Sequence, residues 1–418
     1  MQDHRAFLVS LFDAAVAAAN PSHCLRAFIP ETPSGRTIVV GAGKGSAQLA
    51  RALEQQWPGA LEGAVVTRYG YGAKCKRIDV LEASHPVPDE AGLLASERML
   101  ELVSNLTADD LVIALVCGGG SALLPAPPKG FDLADEIALN EALLKSGAPI
   151  SAMNAIRKQF SRIKGGRLAA AAHPAKVVSL VVSDIPGDDA ALVSSGPTIP
   201  SATTPKDAIA MINRYGIVLP AHIMNHLRTT EQAPLPSESV FQGHTVHVVA
   251  SAKVSLEAAS AASEKMGVSA VILSDSLEGE AREAGAFHAA IAREIEDNAR
   301  PFQCPVVLLS GGETTVTVNG NGKGGRNTEF LLSLALAISS TKSVYALAAD
   351  TDGIDGSEDN AGAFVDSGSI ERMLDYGIRA EDHLINNDAW TAFEAVGDLF
   401  VCGPTGTNVN DFRAILIS

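Results

Sequence analysis

The sequence is poor in aromatic residues, in cysteine and in long hydrophobic runs, and each shortage excludes a class of protein. Aromatic residues make up only 5% of the 418 residues, while alanine and glycine are abundant. The five cysteines contain no CxxC pair, so we expect reduced thiols rather than a disulfide framework or a zinc site. The longest apolar runs, such as residues 111–116, are only long enough for a strand, so we expect no membrane span.

Positive charge is scarce as well. Lys and Arg number 32 against 48 Asp and Glu, which gives a formal net charge of −16 at pH 7. Such a chain is a poor general binder of nucleic acid or anionic membrane, so an anionic ligand must be held by local cations and backbone amides. The N-terminus lacks the cationic start and apolar run of a signal peptide, and residues 7–19 predict an amphipathic helix instead. We therefore expect a cytoplasmic protein.

The chain repeats a unit of apolar strand, small-residue loop and helix. This alternation predicts an α/β fold whose first domain has a Rossmann-like, mostly parallel sheet with helices on both faces. A polar segment with two prolines, residues 231–243, marks the boundary. We predict an N-terminal domain over residues 1–238 and a second α/β domain over residues 239–418, which contains the strand 315–318 and a hairpin turn at 319–322. The remaining strands are predicted at residues 37–40, 63–67, 111–116, 177–182, 246–250, 270–273, 306–309, 344–349 and 399–401.

Glycine-rich loops follow two of these strands, at the end where parallel sheets bind ligands. The loop from Gly41 to Ser46 lets the backbone approach a phosphate, and Lys44 adds a positive charge. It is not a Walker A motif, because Ile38 stands where the first glycine should be. The loop from Gly118 to Ser121 has the same design. Either loop could also be a plain turn, but we predict an ATP phosphate site formed by Gly41, Gly43, Lys44, Gly45, Ser46, Gly119, Gly120 and Ser121.

Two further stretches carry cations. Residues 154–167 hold five Lys and Arg without an acid, and their apolar spacing predicts one helix with a mainly solvated basic face. Lys164, beside two glycines, is the member predicted to bind a substrate anion. Arg326 precedes the predicted helix 330–338, where a guanidinium can bind a phosphate or carboxylate with two donors. Asn408, after the last predicted strand, is expected to orient the substrate.

Acidic residues follow three further predicted strands, at residues 177–182, 306–309 and 344–349. Phosphoryl transfer needs Mg²⁺ bound by one or two carboxylates, and it benefits from a carboxylate that orients or deprotonates the attacking hydroxyl. We predict Asp189, Glu313 and Asp352 as metal ligands, with Asp189 also catalytic. An alternative interpretation, that the carboxylates cap turns and helix starts, applies best to Asp355, Glu358 and Asp359. His85, His173 and His383 have no sequence neighbours that suggest a catalytic or metal site, and we expect structural roles for them.

Taken together, these motifs resemble the two-domain glycerate 2-kinase family, whose C-terminal part is the MOFRL domain. The matching pieces occur in consistent order over nearly the whole chain: Gly-Ala-Gly-Lys-Gly-Ser from Gly41, Cys-Gly-Gly-Gly-Ser from Cys117, Lys-Gly-Gly-Arg from Lys164, Ser-Asp-Ile-Pro-Gly-Asp-Asp from Ser183, Ser-Gly-Gly-Glu-Thr-Thr from Ser310, Gly-Gly-Arg-Asn from Gly324 and Asp-Thr-Asp-Gly-Ile-Asp-Gly from Asp350. The resemblance implies ATP-dependent phosphorylation of D-glycerate to 2-phosphoglycerate, in a cleft between the domains. It also implies that Lys44 and Arg326 are catalytic. The expected partners are glycerate, ATP and Mg²⁺, and a homodimer is allowed.

Two other functions remain open at this point. The first glycine loop is Rossmann-like and Arg68 could read an NADP 2′-phosphate, as in an NAD(P)-dependent hydroxypyruvate reductase. That reaction gives no role to Lys44, to the aspartate loops or to Arg326. The other alternative is a catalytically inactive sensor of a sugar acid or nucleotide, although no DNA-binding domain is evident.

Overall fold

The computed structural model describes residues 3–418 and divides into two compact units. The N-terminal unit comprises Cys24–Val249, and the C-terminal unit joins Ala250–Ser418 to the residues up to His23. This division differs from the predicted boundary between residues 238 and 239. The first helix, α1 (His4–Ala19), belongs to the C-terminal unit because its apolar face, which includes Leu8, Leu11 and Phe12, is buried in that unit's core. The amphipathic helix expected there is confirmed.

The N-terminal unit is built on a six-stranded sheet with the strand order β3-β2-β1-β4-β5-β6. The first five strands pair in parallel, and this order is that of doubly wound nucleotide-binding sheets. The strands are β1 (Thr37–Ala42), β2 (Glu62–Arg68), β3 (Ile78–Ala83), β4 (Leu111–Cys117), β5 (Lys176–Val182) and β6 (Thr245–Ala250). A short helix, α2 (Pro21–Cys24), spans the division between the two units. The helices of the N-terminal unit are α3 (Ser46–Gln56), α4 (Glu90–Leu102), α5 (Gly120–Leu123), α6 (Leu133–Lys145), α7 (Ile150–Arg157), α8 (Arg167–Ala171), α9 (Pro205–Arg214) and α10 (Ala221–Thr229). The predicted α/β class is confirmed.

Every residue of β1 and β4 is buried. Strands covered on both faces by helices read as continuous apolar runs, which is why these two could be located from sequence. Their side chains form one core with Met99 and Leu102 of α4.

The C-terminal unit has a mixed six-stranded sheet in the order β11-β10-β9-β12-β8-β7. Its strands are β7 (Ser269–Leu277), β8 (Val306–Gly312), β9 (Val344–Asp350), β10 (Gly362–Asp366), β11 (Leu399–Phe400) and β12 (Asp411–Ile417), and its remaining helices are α11 (Ala252–Lys265), α12 (Ala281–Asn298), α13 (Arg326–Ile338), α14 (Ser369–Asp375), α15 (Ala380–Ile385) and α16 (Ala389–Val396). The last strand, β12, pairs antiparallel with both β8 and β9. It therefore brings the end of the chain into the middle of the sheet. None of the helices in residues 3–418 is long and apolar enough to cross a membrane.

The predicted strand 315–318 and the hairpin at 319–322 are wrong. Only Thr315 makes a β-bridge, to Glu280. The backbone N–H groups of Asn319 and Gly320 donate to the side-chain oxygen of Asn387 at 2.9 and 3.0 Å. These side-chain bonds satisfy the donors that a strand ladder would have used.

The predicted helix over residues 154–167 is also wrong. Helix α7 ends at Arg157, and a turn follows in which Ser161 Oγ accepts from the N–H groups of Ile163 and Lys164. Gly165 and Gly166 have φ values of +68° and +83°, a conformation that is incompatible with a continuous helix.

Candidate functional site

The two glycine loops of the N-terminal unit meet where the strand order reverses, between β1 and β4. The N–H of Lys44 donates to the carbonyl of Gly118 at 2.9 Å. Gly43 has a φ of +127°, and a Cβ atom there would lie 2.4 Å from the carbonyl oxygen of Cys117. Glycine at this position therefore lets the loops pack together, and such a reversal point is where doubly wound sheets bind their ligands.

The Lys44 side chain lies across the second loop, beside a histidine. A Cβ atom on Gly119 would be 3.2 Å from Lys44 Cγ and 3.2 Å from His85 Nε2. Arg68, at the end of β2, stacks its guanidinium 3.9 Å above the Tyr71 ring. Burial, together with the charges of Lys44 and Arg68, lowers the pKa of His85 to about 4. Neither cation forms an ion pair with any carboxylate in the described part of the chain, so their charge is available to an anion.

The predicted phosphate-binding residues divide into two groups. Gly43, Lys44 and Gly45 lie together with Gly119 and Gly120, as the contacts of Gly119 with Lys44 and of Gly120 with the end of β1 show. The other three have structural roles. Gly41 lies inside strand β1, the Ser46 hydroxyl donates to the Val66 carbonyl at 2.8 Å, and the Ser121 hydroxyl is hydrogen-bonded to Ser195 Oγ at 2.8 Å. The arrangement favours binding through Lys44 and loop backbone rather than through the Ser46 hydroxyl.

Ser194 and Ser195 are left-handed residues for which no role is predicted from the sequence. Their φ values are +52° and +59°, which is uncommon for residues with a Cβ and tends to occur at functional sites. Ser194 Oγ donates to the Cys117 carbonyl at 2.5 Å, and Ser195 Oγ donates to Asn154 Oδ1 at 2.9 Å. These bonds hold the segment after β5 against the second glycine loop. Ser195 begins a Ser-Gly-Pro-Thr segment that resembles the glycerate 2-kinase family, but serine is common in ordinary turns and does not itself predict these bonds.

Lys164, the predicted substrate lysine, has an internal partner. Its ammonium donates to Glu136 Oε1 at 2.6 Å and to the Leu124 carbonyl at 2.8 Å, and the side chain is 1% exposed. The structure thus uses Lys164 to neutralise a buried carboxylate, and we remove it from the proposed substrate site. Asp189 is exposed, and its Oδ1 accepts from the N–H of Ala191 at 3.0 Å.

In the C-terminal unit, Arg326 begins helix α13 and is surrounded by acids. Its guanidinium contacts Glu313 at 2.6 Å, Asp350 at 2.7 Å and Asp411 at 3.2 Å. Burial alone would lower the pKa of Arg326, but the three carboxylates raise it above its usual value. The planar donor group is therefore fixed in one orientation at the ends of β8, β9 and the start of β12.

Asp411 is the buried residue that orients this arginine. Its Oδ1 accepts from Asn327 Nδ2 at 2.8 Å, and its Oδ2 accepts from the fully buried Arg413 at 2.6 Å. Asp355 caps helix α13 by accepting from the N–H groups of Asn327 and Thr328 at 2.9 and 2.8 Å. The capping interpretation of Asp355 is thus confirmed. Asp411 and Arg413 were not predicted, because their partners are distant in sequence.

The carboxylates around Arg326 outnumber the cations. Burial and the charges of Asp352 and Asp411 raise the pKa of Asp350 well above its usual range. Asp352 is half-buried, and its Oδ2 accepts from Asn408 Nδ2 at 3.3 Å. Such mutual repulsion between carboxylates suits a bound cation. This repulsion is the feature of the described residues that fits Mg²⁺.

The predicted metal ligands are not gathered into one cluster. Glu313 and Asp352 belong to the C-terminal unit and Asp189 to the N-terminal unit, and Glu313 is paired with Arg326. Residues 3–418 contain no group of three or more His, Cys, Asp or Glu that could hold a metal ion. Mg²⁺ in nucleotide enzymes needs only one or two protein carboxylates, because phosphate oxygens and water supply the other ligands. The role of Asp352 as a metal ligand is therefore still a prediction.

A doubly wound sheet with a lysine-bearing glycine loop, joined in sequence to a unit with an arginine held among carboxylates, is an arrangement typical of an α/β enzyme. The model of a domain of unknown function, DUF4147, matches residues 7–228, and that of the MOFRL family matches residues 306–411. D-glycerate 2-kinase of Thermotoga maritima is 39% identical over 412 residues, which are 98% of this chain and 97% of that one. The chain belongs to the glycerate kinase family.

Two further comparisons are informative. The crystal structure of glycerate kinase from Thermotoga maritima matches with a TM-score of 0.92 at 36% identity, and the match covers 100% of both chains. A protein from Agrobacterium vitis that carries the provisional name hydroxypyruvate reductase is 51% identical over 416 residues, 99% of this chain and 94% of that one. Similarity therefore extends over the whole chain, although the names of the relatives disagree.

Proposed function

We propose that the protein is an ATP-dependent glycerate 2-kinase that transfers a phosphoryl group to the 2-hydroxyl of D-glycerate and releases 2-phosphoglycerate. The observation that carries this proposal is Lys44, a cation without an acidic partner among the described residues, in the loop at the reversal point of the N-terminal sheet. In a chain of net charge −16, an unpaired ammonium at such a place supports an anion site. The glycerate kinase name of relatives at 39% and 38% identity supports the substrate.

Lys44 and the loop amides would bind the phosphates of ATP. A lysine ammonium is a compact point charge, and backbone N–H groups at a glycine loop complete a concave anion site. Because phosphoryl transfer depends mostly on positioning and charge stabilisation, Lys44 would act most strongly on the charge that develops in the transition state. His85 stays uncharged at neutral pH, since its pKa is about 4, and it can offer a hydrogen bond without adding charge.

Arg326 would stabilise the transferring phosphoryl group or the substrate carboxylate. Its guanidinium is already oriented by Asp350 and Asp411, so little conformational freedom is lost when a ligand binds. Its contact with Glu313 is to a side chain that is 56% exposed. That contact is therefore the one that a ligand oxygen most easily replaces.

The metal and the acidic residues complete the proposal. Asp352, oriented by Asn408, would hold Mg²⁺ together with phosphate oxygens, and the ion would neutralise charge on the phosphates. Asp189, exposed in the loop after β5, would orient or deprotonate the attacking hydroxyl. Asn408 would contribute by fixing the Asp352 carboxylate.

A second candidate, an NAD(P)-dependent hydroxypyruvate reductase, is favoured by one relative's name and by Arg68. Arg68 ends β2, the position from which a doubly wound fold reads the ribose of a dinucleotide. Its guanidinium is stacked on Tyr71 and has no carboxylate partner in the described residues. A reductase, however, gives no role to the arginine and carboxylates of the C-terminal unit.

One assay separates the two candidates. The purified protein is incubated with D-glycerate, ATP and Mg²⁺, and NMR identifies the phosphoglycerate isomer. A parallel reaction contains hydroxypyruvate with NADH or NADPH. The kinase proposal expects 2-phosphoglycerate and no oxidation of the reduced cofactor. Cofactor oxidation without phosphoglycerate would establish the reductase instead, and formation of 3-phosphoglycerate would contradict the proposed position of transfer. Lys44→Met should abolish the kinase signal, while Lys145→Met, at a side chain 79% exposed, should not.

A further inference from the structure

Lys158 is a buried lysine whose ammonium forms no hydrogen bond or ion pair within the described part of the chain. The residue is 1% exposed. Lys164, six residues later and equally buried, donates both to Glu136 and to a carbonyl. Buried lysines are normally paired, because an uncompensated charge in the interior is strongly unfavourable. A buried ammonium with no hydrogen bond to the protein indicates a ligand that is bound during function.

The side chain of Lys158 begins beside the segment that follows β5. Lys158 is the C-cap of α7, and a Cβ atom on Gly165 would lie 3.2 Å from Lys158 Cβ. The N–H of Gly165 donates to the Ser195 carbonyl at 3.0 Å. One helical turn before Lys158, Asn154 donates to the Leu192 carbonyl at 2.9 Å. The lysine is thus anchored next to residues 189–195.

A chain of side chains connects this place to the glycine loop after β4. Asn154 Oδ1 accepts from Ser195 Oγ at 2.9 Å, and Ser195 Oγ lies 2.8 Å from Ser121 Oγ. Ser195 also has the left-handed backbone conformation described above. Hydroxyl and amide groups therefore extend from the proposed phosphate-binding loop to the helix that carries Lys158.

We propose that Lys158 binds an anionic oxygen of a reactant, either the carboxylate of the hydroxy acid or a phosphate of the nucleotide, beside Ser195 and the loop after β5. The ligand class rests on the proposed function. The site itself rests on the burial of Lys158, on its missing partner and on its connection to the glycine loop.

The low pKa of Lys158 makes ligand binding detectable as an uptake of protons. Burial lowers the pKa of Lys158 to about 8, against an opposing contribution from Asp189. Arg167, on α8, donates to the Lys158 carbonyl at 2.5 Å, and Arg157 precedes it on α7. An anion bound at the ammonium raises its pKa again, so binding at a pH above 8 must take up a proton.

Isothermal titration calorimetry of the full chain tests this proposal. D-Glycerate, glycerol, ATP and inorganic phosphate are titrated at about pH 8.5 in two buffers of different ionisation enthalpy, which measures proton uptake. The variants are Lys158→Met, which keeps the length and removes the charge, Lys158→Arg, and the exposed control Lys145→Met. Wild-type protein should take up protons with glycerate if the carboxylate is the ligand, or with ATP and phosphate if a phosphate is. Lys158→Met should lose that uptake and bind the same ligand at least about tenfold more weakly.

The outcomes separate this inference from the proposed function. Unchanged proton uptake and a dissociation constant within about twofold of wild type in Lys158→Met would overturn it, even in an active kinase. Lys158-dependent glycerate or phosphate binding in a protein without kinase activity would retain it and refute the proposed function. Absence of proton uptake with every wild-type ligand would overturn it without any variant, so the test stands even if Lys158→Met does not fold.

Discussion

The two buried lysines of residues 154–167 should respond in opposite ways to the same substitution. Lys164→Met leaves Glu136 with a carboxylate that is 3% exposed and retains only the N–H of Ala126, at 2.9 Å, as a donor. Removing one partner of a buried ion pair is destabilising by about 3–5 kcal/mol, because the remaining charge is uncompensated. We expect this loss in the free energy of unfolding, with little change in substrate affinity.

Lys158→Met removes a buried charge that forms no ion pair among the described residues and that Asp189 compensates only in part. The pKa of Lys158 falls from 10.5 to about 8 in the folded protein, so the unfolded chain binds more protons between these values. Below pH 8 the protonated lysine therefore disfavours the fold, by about 3 kcal/mol for a shift of this size. The substitution should raise stability near neutral pH by up to that amount. Wild-type stability should also rise as the pH increases from 8 to 10.5.

Urea unfolding measures both effects. Of the two tryptophans, Trp57 lies in the N-terminal unit and Trp390 in the C-terminal unit, so Trp57 fluorescence in a Trp390→Phe background reports on the relevant unit. Lys145→Met should change stability by less than about 0.5 kcal/mol. Adding Glu136→Gln to Lys164→Met should recover much of the loss, because the buried charge is then gone. A loss under about 1 kcal/mol for Lys164→Met, or a loss over about 2 kcal/mol for Lys158→Met, would refute the reasoning.

Three predictions concern catalysis, each checked by steady-state kinetics with glycerate and ATP. Lys44→Ala should lower kcat about a hundredfold or more, roughly 3 kcal/mol, and folded protein with activity within about twofold of wild type would remove Lys44 from the site. Arg326→Lys should lower kcat/KM at least about tenfold, since lysine cannot contact Glu313 and Asp350 at once with a planar group, and near-normal kinetics would show that only the charge matters. Excess chelator should abolish turnover, and Asp352→Asn should raise the Mg²⁺ concentration needed for half-maximal rate; an unchanged Mg²⁺ titration would exclude Asp352 as a ligand.

Much of the fold is encoded locally, which is why it could be predicted. The strands β1 and β4 are continuous apolar runs followed by glycines, and each property is visible within about ten residues of sequence. The glycine loops are predictable for the same reason, since parallel strands place their carboxyl ends at one edge. The prediction of a strand at residues 315–318 was wrong. An alternating pattern does not reveal that the residues after it hydrogen-bond to the side chains of Asn386 and Asn387.

The partners of charged side chains could not be predicted, because they depend on distant residues. Lys164 is paired with Glu136, which lies 28 positions earlier, and Arg326 with Asp411, 85 positions later. Only the folded chain shows which lysine of the basic stretch is neutralised. The sequence therefore shows where the cations lie along the chain, but not which of their charges remain after pairing.

The distribution of unpaired charge bears on the choice between kinase and reductase. In the N-terminal unit, Lys44, Arg68 and Lys158 have no carboxylate partner among the described residues. In the C-terminal unit, Arg326 meets more carboxylates than it can neutralise, and Asp350 has a raised pKa as a result. A nicotinamide dinucleotide is an anion, and its binding gives no role to a cluster of carboxylates. A nucleotide triphosphate bound with Mg²⁺ needs both anion sites and acidic residues for a cation. The acidic cluster around Arg326 is therefore the feature that favours the kinase.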